Sequence, residues 1–123
     1  MKQVLYVGQD PATVDFSDPA LPPGTDAEKI QAGIERARQA LSGRGWQAEL
    51  CMIAPDPGGV AALTLQLQAA AHDCVVIGAG LRLPAALPLF EQVINAIHAH
   101  APRARIAFNT TPDDTAEAAA RWL

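Results

Sequence analysis

Charge is scarce in this sequence. Only 18% of its 123 residues are charged, and acidic residues outnumber basic ones, for a formal net charge of −4. Nucleic acids and anionic membrane surfaces recruit basic fields, so neither is an expected partner. The arginines present are dispersed, with Arg36 and Arg38 on one predicted helix and Arg103 and Arg105 flanking one predicted strand. A solvated helix face and a guarded sheet edge account for them better than a phosphate-binding stripe. Also missing is any apolar run approaching the roughly 20 residues of a membrane span. Met1-Lys2-Gln3-Val4 lacks the longer apolar region of a secretion signal. Cysteine is limited to Cys51 and Cys74, on different predicted strands, which points to reduced core thiols and a cytoplasmic location.

Catalytic signatures are thin as well. There is no Gly-x-Ser-x-Gly elbow, and Ser17 and Ser42 are poorly placed for a nucleophile. His98 and His100 lie two apart on a predicted helix, so they point about 200° apart and cannot easily share a metal. His72 falls at the amino-terminal edge of the predicted sheet, away from the strand ends where ligands bind. No basic neighbour activates either cysteine. No metal site is expected.

What the sequence does contain is three short apolar runs: Val4–Gly8, Val75–Gly80 and Ile106–Asn109. Each ends in glycine or a small polar residue and is followed by a helix-forming segment. That rhythm belongs to buried parallel strands alternating with helices. The elements follow as a strand at Gln3–Gly8, a helix from a Thr25-x-x-Glu28 capping box to Ser42, and an edge strand at Trp46–Ile53. A second helix starts at Asp56-Pro57, followed by a strand at Cys74–Gly78, a helix at Pro88–Ala101 and a strand at Ala104–Asn109. Thr111-Pro112-Asp113-Asp114 caps a last helix through Trp122. The expected fold is a single α/β domain over residues 1–123, a four-stranded parallel sheet in the order 2-1-3-4 with helices on both faces. It is a Rossmann-like or flavodoxin-like three-layer sandwich.

In that order the chain reverses between the first and third strands. The crevice there is bordered by a long connection, Gln9–Thr25, and by the loop Gly78–Leu87. Connections this long are uncommon in compact domains unless they are functional or disordered. Val14, Phe16 and Leu21 give this one apolar residues to pack with, which predicts an ordered flap with all three at least partly buried.

Val75-Val76-Ile77-Gly78-Ala79-Gly80 has the start of a dinucleotide fingerprint, but Leu83 takes the third glycine's place and Asn109 stands where an acid should end the next strand. A strand-ending turn is the better reading, and no cofactor is assigned. Asp56, Asp113 and Asp114 suit helix starts, whereas Asp10 lacks an obvious structural task. Arg82 stands alone in an apolar loop at the mouth of the crevice, where an arginine beside backbone amides can receive an anion or pair with Asp10, Asp15 or Asp18. Thr110 and Asn109 offer a hydroxyl and an amide at the end of the fourth strand.

The order of elements resembles response-regulator receivers and flavodoxins. Receivers place an accepting aspartate at the end of strand three, where this chain has Gly78, and paired acids after strand one, where it has only Asp10. The flavodoxin phosphate loop is not matched by Gln9-Asp10-Pro11-Ala12. Four segments, Val14–Pro19, Asp73–Arg82, Leu89–Asn95 and Ile106–Thr115, resemble the text of small bacterial α/β proteins, which implies a bacterial cytoplasmic protein.

The expected function is a non-catalytic small-ligand-binding or regulatory module. Its candidate anion site is formed by Asp10, Gly78, Gly80, Arg82, Asn109 and Thr110 at the strand ends. A small hydrolase or transferase using Asp10 and Arg82 is the enzymatic alternative. A self-associating interaction protein, in the form of a homodimer, is the third.

Overall fold

The computed structural model describes residues 1–123. Strands β1 (Gln3–Gln9), β2 (Gln47–Ile53), β3 (Cys74–Ile77) and β4 (Arg105–Phe108) form one sheet. Helices α1 (Ala27–Gly43), α2 (Pro57–Ala69), α3 (Leu87–His100) and α4 (Thr115–Ala120) complete the chain. The sheet order is β2-β1-β3-β4 and every pair is parallel, as the sequence predicts.

Alternation along the strands divides the core into two layers. Leu5, Val7, Cys51, Ile53, Val75 and Ile77 pack under α2 and α3 with Leu63, Leu67, Val93 and Ile97. Val4, Tyr6, Cys74, Val76 and Ala107 face α1 and α4, against Ile34, Leu41, Ala116 and Ala119. The two central strands are thus buried on both faces, which is why β1 and β3 are the most continuously apolar segments of the sequence.

Cys51 and Cys74 are both free and buried, and β1 runs between their strands. Two strand spacings, with Cys51 level with Val7 and Cys74 level with Val4 three residues away, put them about 14 Å apart, beyond disulfide reach. Burial pushes both thiols up to about 11.

Three local expectations are corrected. The cap of α1 is Asp26, not Thr25: the Asp26 carboxylate accepts from the Lys29 amide at 2.8 Å, while the Thr25 hydroxyl donates to the Pro22 carbonyl at 2.6 Å. The stronger acceptor takes the helix end. Helix α3 begins at Leu87, one residue early, because proline is tolerated in a first turn where no N–H is needed. The side chain of Phe16 is not held by the core, since the residue is 42% exposed. The flap around it is ordered instead by three tight turns. Asp10, Asp15 and Asp18 accept from the amides of Ala12, Ser17 and Ala20, each two residues on. Val14 and Leu21 are half-buried, as expected.

Gly59 marks the tightest approach in the fold. A Cβ there would lie 1.9 Å from the Ala54 carbonyl oxygen, so only glycine lets the first turn of α2 close on the end of β2.

Candidate functional site

A cleft of about 490 Å³ opens over the carboxyl ends of β1, β2 and β3. This is the place where the chain reverses direction around β1, the usual ligand position in open parallel sheets. Its volume lies within the ordinary range for small-molecule sites. One wall is the flap, through Thr13, Val14, Asp15, Asp18 and Leu21. The second is the start of α2 at Pro55–Pro57, and the third is the segment from Gly80 to Gln92.

The lining is acidic. Asp15, Asp18 and Asp56 contribute three carboxylates, Gln9 and Gln92 two amides and Thr13 a hydroxyl, and none of the 16 lining residues is Lys, Arg or His. Each carboxylate is held by one oxygen. Asp15 Oδ1 accepts from the Ser17 amide at 3.0 Å and hydroxyl at 2.6 Å, Asp18 Oδ1 from Ala20, and Asp56 Oδ1 from Gly59 at 2.9 Å. The Oδ2 atoms of all three accept no hydrogen bond within the chain. The Ser17 hydroxyl and amide hold the Asp15 carboxyl below its usual range, so it is charged at neutral pH. Gln9 is fixed by donating to the Thr13 carbonyl at 3.1 Å and hydroxyl at 3.2 Å.

Of the residues predicted from sequence, Gly80 lines this cleft. Asp10 does not. Its carboxylate caps the short turn Pro11–Thr13, which supplies the structural task that the sequence did not reveal. Gly78 lies beneath the site, its amide donating to Val7 at 2.8 Å, and a Cβ there would meet the Tyr6 ring at 3.3 Å.

Arg82, Asn109 and Thr110 are brought together elsewhere, at the end of β4. The Arg82 guanidinium donates to the Asn109 carbonyl and lies 5.1 Å over the Phe108 ring. It forms no ion pair with a flap aspartate. Desolvation lowers its pKa from the usual arginine value, and its Nε is buried without a partner. Asn109 is 1% exposed. Its Oδ1 accepts from Ala79 N at 3.0 Å, and its Nδ2 donates to Thr115 Oγ1 at 3.0 Å and to the Tyr6 hydroxyl at 3.3 Å. Burial raises the Tyr6 pKa, which keeps the phenol neutral. Thr110 donates from amide and hydroxyl to the Asp114 carboxylate. Partial burial pushes that carboxyl up, but the hydrogen bonds from Thr110 and Thr111 together outweigh it and hold it below its usual range. Apart from the Arg82 Nε, this cluster spends its polar groups on one another, tying the loop after β3 to the start of α4.

Of the six predicted site residues only Gly80 lines the cleft, and Asp10, Gly78, Arg82, Asn109 and Thr110 lie outside it. Asp15 and Asp18 were legible only as flap residues able to pair with Arg82, and Asp56 only as a cap. That all three line one cleft, each with an oxygen unbonded within the chain, depends on how the flap folds. No three His, Cys, Asp or Glu side chains are grouped to hold a metal ion. No helix is long and apolar enough to cross a membrane. No protein-family model matches the chain, and no curated protein is significantly similar to it.

Proposed function

We propose that this protein is a non-catalytic binding module for a small polar ligand, seated in the cleft between the flap and the Gly80–Gln92 segment. One observation carries the reading: a cleft of about 490 Å³ at the strand ends, lined by three aspartates, each with one oxygen unbonded within the chain, and by no Lys, Arg or His. Such a lining suits amines and hydroxyls and repels anions. The ligand is therefore a neutral polyol or an organic cation, not the anion that Arg82 suggested. Asp10 and Arg82, the pair on which an enzymatic reading would depend, are each engaged in separate structural contacts. Two buried free thiols and the resemblance of four segments to bacterial α/β proteins support a bacterial cytoplasmic setting.

Thermal-shift measurements with diamines, amino sugars and polyols, set against phosphate, nucleotides and small carboxylates, test this. A ligand present at a hundredfold excess over its Kd stabilises the native state by about 2.7 kcal/mol, a readily measured shift. The expected result is stabilisation by the first group and none by the second, with NMR shift changes at Gln9–Leu21 and Gly80–Gln92. Stabilisation by phosphate, with shift changes at Arg82, Asn109 and Thr110, would overturn the assignment and restore the anion site.

A further inference from the structure

The side chains that line the strand-end cleft are sorted by chemistry. Its charge comes from two segments, Asp15 and Asp18 on the flap and Asp56 at the start of α2. None of the three takes part in an ion pair, and each has one oxygen unbonded within the chain. The third segment contributes Leu83, Ala85, Ala86, Pro88 and Leu89 between Gly80 and Gln92, and Gln92 is its only hydrogen-bonding side chain in the lining. Leu83 and Leu89 are half-buried and Leu89 packs on the core, so this wall continues the hydrocarbon of the interior. Val14 and Leu21 add to the apolar lining from the flap.

Polyols and amines meet such a lining differently. A polyol carries hydroxyls along its whole length, and each is both a donor and an acceptor. Hydroxyls set against the Leu83–Leu89 wall lose water and gain no side-chain partner, which is costly for a polar group taken out of solvent. An ammonium donates three hydrogen bonds and accepts none, so unbonded carboxylate oxygens answer it fully. Methylenes beside it gain from the apolar wall what hydroxyls lose there.

Given the binding cleft proposed above, we infer that its ligand is an aliphatic diamine or polyamine, a hydrocarbon chain bearing at least two ammonium groups. The ammoniums pair with the flap and α2 aspartates, and the methylenes lie on the Leu83–Leu89 wall. Selectivity over polyols then comes from the wall, and selectivity over monoamines from the presence of two acidic segments.

Calorimetric titration of the full chain at low ionic strength, with the α,ω-diamines from diaminopropane to diaminohexane, the diols of equal length and the matching n-alkylamines, tests this. Diamine affinity should rise by up to about fourfold with each added methylene, the value of burying one CH₂. It should also fall as salt is added. Diols and monoamines should bind roughly tenfold more weakly, or less, since each forgoes a hydrogen bond to a charged group. Asp18→Asn keeps the Oδ1 that accepts from Ala20, so the flap turn is retained while diamine affinity drops by roughly the same factor. Diols or monoamines that match the diamines, or a diamine affinity that ignores chain length, overturn the polyamine assignment, and NMR shift changes at Gln9–Leu21 and Gly80–Gln92 would then still mark the cleft as the binding site. If neither diamines nor polyols move those resonances, the cleft is not the site and both readings fall.

Discussion

Replacing Asn109 with alanine tests whether the cluster at the end of β4 is structural. The side chain is 1% exposed and makes three hydrogen bonds, to Ala79, Thr115 and Tyr6. Alanine removes all of them and leaves the Ala79 amide and the Tyr6 hydroxyl under-partnered in a low-dielectric setting. A buried group left without its partner costs about 1–3 kcal/mol. The Thr115 hydroxyl retains its own bond to the Pro112 carbonyl at 2.7 Å, so two groups are orphaned. The expected loss is about 3–4 kcal/mol once partial relaxation is allowed for. A chain of this length has a total stability of about 6–18 kcal/mol, so the variant folds but is visibly weakened. Urea denaturation followed by circular dichroism reads the loss as a lower midpoint at unchanged slope. A companion Thr110→Ala variant loses only the exposed hydroxyl bond to Asp114 and should cost less than about 1 kcal/mol. If Asn109→Ala falls within 1 kcal/mol of wild type, water satisfies these groups, and the view of Asn109 as a structural tie is wrong.

Arg82→Ala should lower stability by about 1.5–3 kcal/mol, the range for a hydrogen bond to a charged group, and leave the response to phosphate unchanged. A phosphate-induced rise in Tm seen in wild type and abolished in this variant would instead make Arg82 a ligand residue. Gly59→Ala should prevent a native-like fold or destabilise it strongly in chemical denaturation, because its Cβ meets backbone at 1.9 Å, whereas Gly80→Ala, with nothing within 4 Å, should be tolerated. Burial makes both cysteines hold their protons more tightly in the folded state than in the unfolded chain. Stability is therefore full below about pH 9 and declines as the pH rises toward 11, a trend that a Cys51→Ala/Cys74→Ala variant should flatten in pH-dependent denaturation. Thiol titration at pH 8 should find no rapidly reacting group in native protein and two after unfolding.

Sequence alone determined the fold of this chain. Periodicity sets element type, glycine and proline set the breaks, and the apolar continuity of Val4–Val7 and Cys74–Ile77 marks them as central strands. Right-handed crossovers and burial of both favour the order β2-β1-β3-β4, which the sheet has. Those signals are local or nearly so, and they therefore survive in a one-dimensional text. The position of the cleft followed from the same topology. Its chemistry did not. Whether Arg82 turns toward the flap or toward β4 depends on Asn109, 27 residues away, presenting its carbonyl, and on the Phe108 ring lying beneath the guanidinium. Whether Asp10 or its neighbours Asp15 and Asp18 line the cleft is decided by the path of three consecutive turns. A side chain's direction is the outcome of competition among long-range partners, and the tertiary structure is where that competition is resolved.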